Sequence, residues 1–130
     1  MTDLEARIVV VDDAPDALDM LVELIACNGY AVRGARDGAQ AIELVSQFRP
    51  HCVLFDIQMP GMDGLALARN LRTAHGDDLV LIAVTGHSPD DERVAATFQA
   101  VDYWLTKPID LSRLHQVLPP LPQPHAVPGA

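Results

Sequence analysis

The chain has 130 residues, 49% of them apolar, which is enough for one domain with its own core. Nine basic residues against 18 acidic ones leave a net charge of −9, which repels nucleic acid and anionic lipid and argues against direct binding to DNA or a membrane. No apolar stretch approaches the roughly 20 residues of a membrane span. The start MTDLEAR lacks a basic opening and an apolar run, so a secretory signal is not expected and a cytoplasmic location is.

The predicted elements alternate strand and helix. ARIVVVD (6–12) is a β-branched run too short for a helix. DALDMLVELIACNGY then sets Leu18, Leu21, Val22, Ile25 and Ala26 on one helical stripe, and Asn28-Gly29 supplies its stop. YAVRGA (30–35) is a second strand, expected at an edge. DGAQAIELVSQF (37–48) is a helix with Asp37 as cap and Pro50 just beyond its end. CVLFD (52–56) is the third strand, and DGLALARNLRTA (63–74) is the third helix, capped by Asp63. LVLIAVT (79–85) is a fourth strand, PDDERVAATFQA (89–100) a helix with Pro89 in its first turn, VDYWLT (101–106) a fifth strand and DLSRLHQVL (110–118) a short fifth helix.

Five βα units predict an α/β fold, a parallel sheet covered on both faces with the apolar first, third and fourth strands at its centre. Residues 1–118 read as one domain. The segment 119–130, with five prolines and no charge, reads as a flexible Pro-rich tail. Cys27 and Cys52 lie in apolar contexts without metal-ligand spacing and are expected to be buried reduced thiols. The five histidines form no HxxxH pair and are expected on the surface or in loops.

The third strand ends on an acid, Asp56, although a lone buried carboxylate is costly. In an open parallel sheet, ligands bind beyond the carboxyl ends of the strands. Those ends carry Asp12 and Asp13, Asp56, Thr85 with Gly86, and Thr106-Lys107-Pro108. Three clustered carboxylates persist only if a cation or a lysine offsets their repulsion. An all-oxygen set suits Mg²⁺ better than zinc. With Mg²⁺ and a lysine holding a phosphoryl group, a carboxylate can act as nucleophile and form an acyl phosphate.

VVVDDAPD, FDIQMPGMDG, AVTG and LTKP occur in an order and at spacings that resemble the response-regulator receiver domain of two-component signalling, over residues 6 to 118. The resemblance implies a flavodoxin-like, doubly wound (βα)5 fold with strand order 2-1-3-4-5. It implies a phosphorelay module that takes a phosphoryl group on Asp56 from a histidine kinase or a histidine phosphotransfer protein. Such a module catalyses only its own phosphorylation and dephosphorylation, and signals to an output protein that the sequence does not name. By the same resemblance Asp12, Asp13, Asp56 and the backbone carbonyl of Gln58 hold Mg²⁺. Thr85 binds a phosphoryl oxygen and carries the switch, Lys107 pairs with the phosphoryl group, and Pro108 follows a cis peptide. Trp104 stands where the family usually has a Tyr or Phe that reorients with the threonine. Gln58 and His87 border the phosphoryl group and would tune its loss. A change in partner binding would pass through the face of the fourth helix, fifth strand and fifth helix. Gly86 in AVTGHS resembles receivers attached to hybrid histidine kinases, which implies a stand-alone or kinase-linked receiver.

Two other readings compete. A phosphatase of the haloacid-dehalogenase type also uses an aspartyl nucleophile, but keeps a second Asp two residues on, where this chain has Gln58. A flavin-binding module needs a hydroxyl- and glycine-rich phosphate loop after the first strand, where DDAPDA would repel phosphate. The sequence also departs from the receiver pattern. Ala100-Val101 replaces the common Gly-Ala before the fifth strand, and the fifth helix soon meets Pro119-Pro120.

Overall fold

A computed structural model describes residues 6–57, 62–86 and 92–119, and for 92–94 only the backbone. The strands are β1 (Arg7–Val11), β2 (Ala31–Ala35), β3 (Cys52–Asp56), β4 (Val80–Thr85) and β5 (Tyr103–Thr106). The helices are α1 (Pro15–Ala26), α2 (Gly38–Phe48), α3 (Gly64–His75), α4 (Glu92–Ala100) and α5 (Leu111–Val117), with one 3-10 turn at Gly76–Asp78. All four strand pairings are parallel, in the order β2-β1-β3-β4-β5. The expected doubly wound fold and its order are therefore present. Pro89, expected in the first turn of α4, lies outside the described residues.

The period of two along each strand divides the core. Val9, Val11, Val53, Phe55, Leu81 and Ala83 face α2 and α3, packing with Val45, Leu67 and Leu71. Ile8, Val10, Leu54, Ile82, Val84 and Leu105 face the other side, packing with Leu18 and Ile25 of α1 and Leu114 of α5. Every residue of β3 is buried. Each such large side chain contributes about 1.5–3 kcal/mol. The central strands are thereby fixed in register, and so are the residues at their ends.

Local chemistry places the helix ends. Asp37 accepts from Gln40 N–H at 2.8 Å and Asp63 from Ala66 N–H at 3.0 Å, each satisfying a free donor of a first turn. The α2 helix ends on Arg49 with φ 52°, a left-handed position that usually takes glycine. Its carbonyl accepts from Arg7 Nε at 2.9 Å and Nη2 at 2.8 Å, which offsets that strain. Arg72 closes α3 by donating to the carbonyls of Gly76 and Leu79, and pairs with Asp102 at 2.9 Å.

One expectation fails. Cys52 is buried, but Cys27 is exposed, because it is the C-cap of α1, two residues past Ile25, where the buried side of the helix ends; Ala26, expected on the apolar stripe, is exposed as well. Burial pushes the Cys52 thiol well above its ordinary range. No helix among the described residues is long and apolar enough to cross a membrane.

Candidate functional site

The sheet runs outward from β1 to β2 and returns to β3, so the strand order reverses between β1 and β3. That crevice is where an open parallel sheet presents its ligand site. Asp56 is the last residue of β3, and Asp12 directly follows β1. Both are buried, whereas Asp13 is exposed. One carboxylate oxygen from each of Asp12, Asp13 and Asp56 lies within 4.8 Å of the others.

Asp12 is not the cap of α1. The N-cap is Ala14, which makes no side-chain cap bond, and Pro15 opens the helix. Asp12 Oδ1 instead accepts from Ala14 N–H at 3.0 Å, which aims the carboxylate across the strand ends. Burial pushes the Asp12 carboxyl above its ordinary range. The Ala14 N–H pulls it back, and the neighbouring Asp56 raises it further.

Lys107 enters from the far side. Its backbone N–H donates to the Thr85 carbonyl at 2.9 Å, just past the pairing of Thr85 with Thr106. Its Nζ donates to Asp56 Oδ2 at 2.7 Å, a charge-assisted bond. That bond raises the Lys107 pKa. Burial opposes the shift, and the charges of Asp56, Asp12 and Asp13 add to it. The Lys107–Pro108 peptide is cis. Thr85 is fully buried at the end of β4.

Gly64 sets the start of α3 against this rim. Its N–H donates to the Ile57 carbonyl at 2.8 Å, and a methyl group there would meet Ile57 Cα at 2.6 Å. Only glycine permits so close an approach beside Asp56.

The structure thus brings Asp12, Asp13, Asp56 and Lys107 together, with Thr85 beside Lys107. Trp104 stands apart on β5, 42% exposed and stacked on Phe98 of α4. Gln58 and His87 lie outside the described residues. Sequence reasoning missed an apolar groove of about 410 Å³ that opens beside Asp12, Asp56 and Lys107. Met20, Leu21 and Leu24 of α1 form one wall, and Pro108, Ile109 and Leu111 the other. The signal was Met20, an apolar residue on the outer face of α1 that is 69% exposed.

Among the described residues the cluster holds three carboxylates and neither a thiol nor an imidazole, a donor set that suits a hard divalent cation. A family model described as the response regulator receiver domain matches residues 8–119. The chain belongs to the response regulator receiver domain family. Among curated relatives, this receiver is 39% identical over 111 residues to Response regulator MprA of Mycobacterium sp. (strain KMS), covering 85% of this chain and 48% of that protein. It is 39% identical over 108 residues to Response regulator MprA of Mycobacterium leprae (strain TN), covering 83% and 47%. The receiver therefore spans about half the length of these relatives.

Among solved structures, a receiver domain protein from Clostridium thermocellum aligns with a TM-score of 0.79 at 23% identity, covering 87% of this chain and 90% of that one. At that identity the likeness speaks for the fold alone. Response regulator TrrA of Thermotoga maritima, in complex with Mg²⁺-BeF, aligns with a TM-score of 0.75 at 29% identity, covering 85% and 93%.

Proposed function

We propose that this receiver accepts a phosphoryl group on Asp56 from a phosphohistidine donor and so changes the face it offers an output protein. The donor is a histidine kinase or a histidine phosphotransfer protein, and the exchange takes place in the cytoplasm. One observation carries the reading. Asp56 sits in a carboxylate triad and is held by Lys107 Nζ at 2.7 Å, a nucleophile beside its own counter-charge.

An Asp56 oxygen forms the new bond to phosphorus while the donor's phosphorus–nitrogen bond breaks. The electron pair stays on the imidazole nitrogen, which takes up a proton and leaves as histidine. Lys107, already on Asp56 Oδ2, pairs with a phosphoryl oxygen as charge develops there. The Thr85 hydroxyl, one pairing below Lys107, donates to another. Asp12, Asp13 and Asp56 would hold Mg²⁺ together with the backbone carbonyl of Gln58. When bound, Mg²⁺ neutralises charge between the carboxylates and the phosphoryl oxygens. The Mg²⁺-BeF complex of the Thermotoga maritima relative supports this assignment. Gln58 and His87 would orient or obstruct the water that removes the phosphoryl group. The chemistry acts on the receiver itself and turns over no outside substrate.

The test is labelling by acetyl phosphate with Mg²⁺. The wild type should take up phosphate that hydroxylamine releases, as an acyl phosphate does, and Asp56→Asn should take up none. Equal labelling of both proteins would overturn the assignment.

A further inference from the structure

The Phe98 and Trp104 rings lie parallel, with centroids 4.4 Å apart and planes 9° apart. Phe98 is two residues before the end of α4, and Trp104 is the second residue of β5. Phe98 also packs against the core cluster beneath α3. Trp104 pairs across the sheet with Ala83, whose small side chain gives the indole nothing large to lean on. Phe98 is its described aromatic contact.

The connection beneath this stack is pinned. Asp102 N–H donates to the Leu81 carbonyl at 2.9 Å, and Asp102 Oδ2 accepts from Leu81 N–H at 2.8 Å. Arg72 of α3 donates to the same Asp102 oxygen at 2.9 Å and to the Ala100 carbonyl at 3.4 Å. The carboxyl end of α4 and the start of β5 are thus held by one side chain. The helix has a fixed heel, and the ring stack lies just above it.

We infer that Phe98 is the positioning residue for Trp104, and that the stacked pair joins α4 to β5 as one moving unit. The indole cannot turn alone without separating from Phe98. A displacement at the end of β4, where Thr85 lies two residues beyond Ala83 on the same face, therefore reaches α4 through this pair. The part concerning phosphorylation rests on the function proposed above. The part concerning the resting geometry does not.

Trp104 is the only tryptophan, so its emission reports the pair directly. Phe98→Leu keeps an apolar side chain but loses the parallel ring, and Phe98→Tyr keeps the ring. In the resting protein, Phe98→Leu should raise iodide quenching of Trp104 and lower its fluorescence anisotropy, while Phe98→Tyr should match the wild type. Unchanged quenching and anisotropy in Phe98→Leu would overturn the inference, whatever the phosphoryl chemistry.

Beryllofluoride with Mg²⁺ tests the coupling, with bound fluoride followed by ¹⁹F resonance and Asp56→Asn as the blank. With bound fluoride present, the wild type should shift its Trp104 emission and its α4 amide resonances together. In Phe98→Leu the α4 shifts should shrink. Shifts of α4 as large as in the wild type would overturn the coupling. Absence of bound fluoride would count against the phosphoacceptor reading alone, and the resting-state comparison then decides the inference.

Discussion

Lys107 Nζ donates to Asp56 Oδ2 at 2.7 Å, joining the edge of the sheet to its centre across the end of β4. The pair holds a carboxylate that two further acids crowd. Its electrostatics set most of what the receiver should do when pH, metal or sequence changes.

Mg²⁺ should stabilise the fold. A ligand that binds the folded form alone adds about 2.7 kcal/mol at a hundredfold excess over its Kd. The Tm of the wild type should rise between EDTA and millimolar Mg²⁺. Asp13→Asn should melt higher than the wild type in EDTA, because it relieves repulsion, yet gain little from the metal. A wild-type Tm indifferent to Mg²⁺ would contradict the acidic-pocket reading.

Asp12 should cost stability at neutral pH without metal. Its carboxyl is raised above the ordinary 3.8, chiefly by burial, so the folded chain binds that proton more tightly than the unfolded one. Stability linked to this group therefore increases as pH falls through its raised value. Asp12→Asn can keep the bond from Ala14 N–H and should be more stable than the wild type at pH 7 in EDTA. The gap should close as pH approaches 3.8. Chemical denaturation across that range measures it, and a gap independent of pH would refute it.

Alkaline pH should weaken the fold. Lys107 is raised above its ordinary 10.5, first by its bond to Asp56, so its contribution is complete below that value and is lost as pH rises through the folded one. Tyr30 is raised above its ordinary 10.0, first by burial, and ionising it penalises the fold as pH climbs past that point. The urea midpoint should hold below pH 10.0 and fall above it. Tyr30→Phe and Lys107→Met should each flatten the fall, and curves parallel to the wild type in both would remove this account.

Gly64→Ala should disturb the site through packing. The added methyl meets backbone at Ile57 Cα, which has to shift beside Asp56. Overpacking of this kind costs about 1–3 kcal/mol. Gly76→Ala is the control, with a left-handed φ of 60° but nothing within 4 Å of the new methyl. Both should lose stability, and only Gly64→Ala should slow labelling by acetyl phosphate. Equal labelling rates would separate Gly64 from the site.

Much of the fold was legible because the strands are short and β-branched while the helices carry stripes. Asp12, Asp56 and Lys107 were legible because a parallel sheet turns strand-end residues into neighbours. Other features left no pattern to read. Arg72 sits in α3 like any solvated helix residue, and the groups it donates to, on Gly76, Leu79, Ala100 and Asp102, all come later in the chain. Cys27 follows an apolar run in the sequence, but the buried side of α1 ends at Ile25, and a step of two residues along a helix rotates a side chain by about 200°. The Phe98–Trp104 stack and the apolar groove depend on how helices sit on the sheet, which local periodicity does not encode.

The burial of β3 on both faces has a consequence for how the site can yield. Asp56 hangs from a central strand buried along its whole length, whose amides should be among the last to exchange with solvent, whereas Lys107 follows β5, an edge strand of four residues with three of them exposed. The acid sits in the most protected part of the molecule and its counter-charge in a much less protected one. A local opening that separates them should therefore begin at the lysine, with Lys107 released more often than Asp56.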